Sequence, residues 1–120
     1  MEIFNVADLV MTACAMLYMV FDVISGVIKG AKLKNLSSTK MREGLAHKAM
    51  YVLFIAMSYT LQWGASYIEL PFDAPAVIVV CFAIVCIESL SIVENAGEIN
   101  PELKGSKLLQ MFELTNKEGK

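Results

Sequence analysis

Three long apolar runs, at about residues 9–28, 49–68 and 76–93, account for most of this chain, and each carries polar residues at helical rather than strand spacing. In the first, Asp8, Met11, Ala15, Tyr18, Asp22, Gly26 and Lys29 fall on one stripe when projected at 100° per residue. In the third, Glu88, Ser91, Glu94, Asn95 and Glu98 share a sector of roughly 120°. The second has a weaker stripe of Tyr51, Ser58, Gln62 and Ser66. These patterns predict three helices, each with one face that apolar surroundings would not wet. At 1.5 Å per residue, a twenty-residue helix covers the roughly 30 Å hydrocarbon core of a bilayer.

Local signals punctuate the runs. Asn5–Asp8 opens the first, and Ser37, Ser38 and Thr39 offer N-caps for a short surface helix over 40–48 leading into the second run. Residues 49–68 contain no formal charge, and Trp63 and Tyr67 near their end suit an interfacial aromatic belt. Pro71 and Pro75 make 69–75 a tight turn. Gly97 and Asn100–Pro101 are expected to end the third helix. Leu108, Leu109, Met111 and Phe112 then recur at the spacing of a short amphipathic helix on a membrane surface. The fold class expected is an all-α membrane protein: three transmembrane helices, a short cytoplasmic loop helix and a C-terminal amphipathic segment, divided as a membrane domain over 1–103 and a cytoplasmic tail over 104–120.

Composition agrees. Of 120 residues 57% are hydrophobic and the mean hydropathy is +0.58, more apolar surface than a soluble chain of this size can bury. All ten Lys and Arg lie in 29–48 and 104–120. Because basic residues concentrate in cytoplasmic loops, both segments are expected inside, with the chain start and the 69–75 loop outside; an odd number of spans follows, and three fit. The first run has no basic residues before it and is read as a retained span rather than a signal peptide. Residues 29–48 hold six basic residues against one acid, Glu43. Lys32, Lys34, Lys40, Arg42 and Lys48 are therefore candidates for contact with anionic lipid, and nucleic acid is not an expected partner.

The candidate functional residues are those that lipid disfavours. A charged side chain at the centre of a bilayer costs about 2.5–3.5 kcal/mol on insertion scales, so Asp22 and Glu88 need a reason to be there. Together with Ser25, Gly26, Gln62, Ser91, Glu94 and Asn95 they form the intramembrane polar set, expected either to join helices or to line water in an assembly. Asp22 is expected to be protonated or to reach toward Lys29. Cys14, Cys81 and Cys86 lie in apolar runs without metal or redox spacing, and the one histidine, His47, has no catalytic partner nearby in sequence. No nucleotide-binding or metalloprotease motif occurs. No enzymatic activity, cofactor or metal is expected.

Three segments in order carry a resemblance: Asp22-Val23-Ile24-Ser25-Gly26; Leu36-Ser37-Ser38-Thr39-Lys40-Met41-Arg42-Glu43-Gly44-Leu45 with Lys48-Ala49; and Glu88-Ser89-Leu90-Ser91-Ile92-Val93-Glu94-Asn95, followed by Pro101 and Leu103. From about Asp22 to Leu103 the chain resembles the phage-lysis and toxin-secretion holins, small membrane proteins of bacteriophages and clostridia. Leu61-Gln62 departs from that family's frequent Leu-Asp pair, and Gly97-Glu98-Ile99-Asn100 from its more apolar form. The resemblance implies a homo-oligomer in the bacterial inner membrane that forms lesions and releases an endolysin or a toxin. Two other classes compete with it: a small proton-coupled multidrug-type transporter, usually a four-span chain with its acid in span 1, and an accessory subunit of a larger membrane complex.

Overall fold

The structure is a computed structural model that describes residues 4–105. It is helical throughout its regular parts: α1 (Val6–Leu33), α2 (Ser38–Ala65) and α3 (Ala76–Ile99), followed by a 3₁₀ turn at Pro101–Gly105. The tail lysines beyond Lys104 and the expected amphipathic stretch at Leu108–Phe112 lie outside the described residues.

Each helix begins where its local chemistry directs. Asn5 and Asp8 close a capping box on α1, the Asn5 side chain accepting from the Asp8 amide at 3.0 Å and the Asp8 carboxylate accepting from the Asn5 amide at 3.1 Å. Of the three candidate caps before α2, Ser37 is the one used, accepting from the Lys40 amide. α2 then continues unbroken to Ala65, so the expected separate loop helix over 40–48 is instead its first turns. No proline stands between Lys40 and Ala49, and the single Gly44 costs a helix interior only about 1 kcal/mol, which is the physical reason for the continuity. α3 passes through Gly97 and stops at Asn100, ahead of Pro101.

The α1–α2 connection is short. Lys34 adopts the left-handed conformation (φ 55°, ψ 38°), and its amide and that of Asn35 return to the Gly30 carbonyl. Leu36 folds back over Gly30 so closely that a Cβ there would sit 2.7 Å from the Leu36 Cδ2.

Contacts fix the directions. Thr12 meets Cys81, Ser25 meets Asn95, and Lys29 meets Glu98, so α1 and α3 run parallel. Tyr59 and Gln62 meet Thr12 and Asp8 while Lys48 meets Asp22, so α2 runs antiparallel to both. α1 and α3 pack along most of their length; the α2 backbone lies closer to α3 than to α1, which it meets through long side chains. The buried apolar core is small: Ala15 and Met19 from α1, Ile55 from α2, and Val77, Cys81 and Ile84 from α3. Outside it the surface is apolar, with Leu17, Phe21, Phe54, Leu61, Val79 and Phe82 among many exposed large side chains. Contiguous apolar surface of this extent is incompatible with a water-facing bundle. α1 and α3 are long and apolar enough to cross a membrane. α2 falls short of that measure because Lys48, Tyr51, Ser58, Tyr59, Thr60 and Gln62 dilute it.

Candidate functional site

The stripe projected from α1 is the face that turns inward. Asp8, Ala15 and Gly30 are buried, and Met11, Tyr18, Asp22, Gly26 and Lys29 are half-buried. On α2 the inward line is Lys48, Tyr51, Ile55, Ser58 and Gln62, and on α3 it includes Val77, Cys81, Ile84 and Glu88. These faces meet in two polar clusters separated by the small apolar core.

Lys48 is the centre of the first. Its ammonium donates to Asp22 Oδ2 at 2.7 Å and lies 3.2 Å from Glu88 Oε2. All three side chains are largely withdrawn from the surface, with exposures of 13%, 18% and 3% for Lys48, Asp22 and Glu88. The approach to Glu88 is an ion pair without hydrogen-bond alignment, and Glu88 Oε2 is buried with no donor. Asn95 Nδ2 donates to Asp22 Oδ1 at 3.3 Å and to Ser25 Oγ at 2.9 Å, and Ser25 in turn donates to the Asp22 carbonyl. Gly26 faces the same group, and a Cβ there would meet Asn95 Nδ2 at 3.9 Å, an ordinary van der Waals distance. One cation thus faces two carboxylates, a combination that is stable in low dielectric only while the partners stay together.

The pairing corrects two expectations. Asp22 reaches Lys48 rather than Lys29, which lies 3.4 Å from Glu98 at the bundle's edge. Lys48 leaves the set of lipid-surface basic residues and belongs to the helix interface. Its role was readable in principle, because 48, 51, 55, 58 and 62 continue one helical stripe; grouping Lys48 with the basic loop concealed it. Lys32 donates to the Ile99 carbonyl and so caps the end of α3, whereas Lys34, Lys40 and Arg42 are exposed. Ser91 is half-buried and Glu94 exposed; both line a cleft of about 360 Å³ between α1 and the first turns of α2, with Lys40 and Leu45 opposite.

The second cluster joins Gln62, one of the candidate residues, to Asp8, which the sequence places on the α1 stripe but not in the candidate set. Asp8 is 1% exposed. Gln62 donates to Asp8 Oδ2 at 2.9 Å while its carbonyl oxygen accepts from the Val77 amide at 3.1 Å, so one side chain joins all three helices. The second bond satisfies a first-turn amide that the N-cap Pro75 leaves without a side-chain partner. Thr12 Oγ1 and Tyr59 Oη are 2.6 Å apart, so one hydroxyl donates to the other, and the Asp8 carbonyl, 2.8 Å from Thr12 Oγ1 and 3.4 Å from Tyr59 Oη, accepts the proton that remains. This gives the Leu61-Gln62 departure a physical meaning: an amide donates to Asp8 and accepts from Val77 at once, which an ionised carboxylate cannot do.

The sequence profile of the bacteriophage holin family matches residues 2–116. The chain belongs to the bacteriophage holin family. No curated protein and no solved structure matches it. As a holin-family membrane protein, it meets lipid with the apolar surface described above, and both polar clusters lie within the bundle, away from that surface.

Proposed function

We propose that this chain is a holin: it accumulates in the bacterial inner membrane as a three-span bundle and, above a critical density, assembles into oligomeric lesions that release an endolysin or, in a toxin locus, a toxin. The observation that carries the reading is the Asp22–Lys48–Glu88 cluster inside a bundle whose outer surface is apolar. A lone bundle satisfies its polar faces internally, and the same groups can re-pair between copies at the edge of a lumen. Asp22, Ser25, Gly26, Gln62, Glu88, Ser91, Glu94 and Asn95 form that assembly or lumen-lining set. Three narrow faces enclose no wide passage within one copy, so lesions require oligomers.

Residues 1–103 form the membrane domain and 104–120 the cytoplasmic tail, with the N-terminus outside and the C-terminus inside. The alternating helix directions support this, because they place the 34–37 turn and the 66–75 loop at opposite ends. Polar groups held by neighbouring helices make a third span through α2 tolerable despite its lower apolarity. Lys32, Lys34, Lys40 and Arg42 then stand at the anionic inner leaflet.

Induced expression in bacteria tests the reading. The parent chain stops growth abruptly, whereas a transporter or accessory subunit does not. Replacing Asp22 and Glu88 together by Leu abolishes lysis, and because it leaves Lys48 without a counter-charge the amount of inserted protein is measured beside it. Equal lysis times for both chains would reduce the two acids to packing residues.

A further inference from the structure

α1 and α3 form one long-packed pair, and α2 is fastened to it mainly by polar contacts at two levels. At one level Gln62 and Tyr59 engage Asp8 and Thr12; at the other Lys48 engages Asp22 and Glu88. Between them α2 contributes one fully buried apolar side chain, Ile55, with Tyr51 and Tyr59 partly buried against the same core. In lipid, apolar side chains gain little by exchanging lipid contacts for helix contacts, so the polar levels decide where α2 sits. Lys48 and Gln62 are fourteen positions apart, which is about 21 Å of helix. A helix that satisfies both levels must carry a cation and an amide at that separation.

We infer that the α1/α3 face bearing Asp8, Asp22 and Glu88 is a docking surface for α2 of a second copy of this chain, with Lys48 as the exchanged cation. The inference rests on the assembly reading above and names its joint. Charge complementarity selects the occupant: two buried carboxylates require a cation at their level, and α2 of an identical copy supplies it with Gln62 and Tyr59 in register. The connections permit the exchange. Residues 34–37 and 66–75, drawn out at about 3.4 Å per residue, reach roughly 14 and 34 Å, while neighbouring helices stand about 8–10 Å apart. α2 can therefore cross to an adjacent α1/α3 pair without unfolding. Each copy then gives α2 to one neighbour and receives α2 from another, a head-to-tail arrangement that forms a ring where the rotation between copies closes and an open array where it does not.

The inter-copy joint reproduces the contacts of the closed chain. At low density the tethered α2 wins by effective concentration; at high density neighbours compete. The left-handed Lys34 (φ 55°) biases the competition, because opening the turn releases a conformation that L-residues adopt at a cost.

Crosslinking reads the joint directly. In chains whose native cysteines are replaced, one copy carries Tyr51→Cys and the other Val85→Cys, partly buried positions of α2 and α3 packed against the same apolar core that leave Asp22, Lys48 and Glu88 intact. Co-expressed to the density of growth arrest and treated with a short bifunctional maleimide, they give the heterodimer. Growth arrest with monomers alone would overturn the docking. Heterodimers without growth arrest would leave the docking standing and overturn the holin reading.

Charge exchange supplies the second arm. Lys48→Glu and Asp22→Lys each lose lysis when expressed alone, and co-expression restores it, since each α2 then finds its complement on the other chain. Both changes in one chain restore the pair within that chain and control for insertion. A failed rescue by two inserted chains, with the parent still lytic, would refute the exchange while leaving the holin reading intact.

Discussion

Lys48 concentrates the energetics of the bundle at one atom. Removing a single partner from a buried ion pair costs about 3–5 kcal/mol, whereas replacing the whole set by apolar groups of similar size is often neutral or stabilising. Lys48→Met alone leaves Asp22 and Glu88 without their cation and should lower the thermal midpoint of the detergent-solubilised protein. Adding Asp22→Leu and Glu88→Leu to Lys48→Met should recover that midpoint without recovering lysis. A triple variant that regained both would show that the charges serve packing only. Asp22 and Glu88 were legible in the sequence because an acid within an apolar run is conspicuous. Lys48 was not, because it lies at the edge of its run, where position alone assigns a charge to water; Asp8 falls on the α1 stripe, but its partner could not be read. The structure shows each drawn inward by a partner on another helix, Asp22 for Lys48 and Gln62 for Asp8, a pairing that only tertiary geometry supplies.

The three helices were readable from periodicity and the start of the first from Asn5–Asp8, whereas the caps at Ser37, Ser38 and Thr39 point to a separate short helix that proves to be the first turns of α2. The helix lengths were less legible. Apolar runs mark what meets lipid, whereas a helix continues through polar turns until a cap or proline ends it, and so α1 extends to Leu33 and α2 begins at Ser38. The strained point of this arrangement is the α1–α2 turn. A non-glycine residue in the left-handed conformation gives up roughly 1–2 kcal/mol, and glycine adopts it without steric cost. Lys34→Gly should therefore strengthen the turn, slowing hydrogen exchange at the Lys34 and Asn35 amides that bond to Gly30, and delay the onset of growth arrest. Earlier onset with faster exchange would place the stored strain elsewhere. Glycine weakens a helix interior, but Lys34 lies at the cap of α1, outside it.

For the whole molecule the decisive quantity is the placement of charge along the membrane normal. The proposed three-span arrangement predicts that an impermeant thiol reagent labels Glu2→Cys in intact cells and leaves Lys120→Cys untouched until the membrane is opened; labelling of position 120 from outside would reverse or reduce the spans. The same asymmetry makes the turn between α1 and α2 more than a connector. Lys34, Lys40 and Arg42 are exposed around it, and Lys32 closes the α3 terminus nearby. Each basic residue near an anionic leaflet contributes only about 1 kcal/mol, so single substitutions should change little. With Lys48 assigned to the interior, the surface set is these four. Changing Lys32, Lys34, Lys40 and Arg42 together to Glu reverses the field at that end of the bundle without touching the Asp22–Lys48–Glu88 cluster. Such a variant should lose correctly oriented protein, measured by thiol accessibility, and lytic activity in parallel. Normal orientation with lysis on schedule would mean that helix packing alone orients the chain, and that the basic residues anchor nothing.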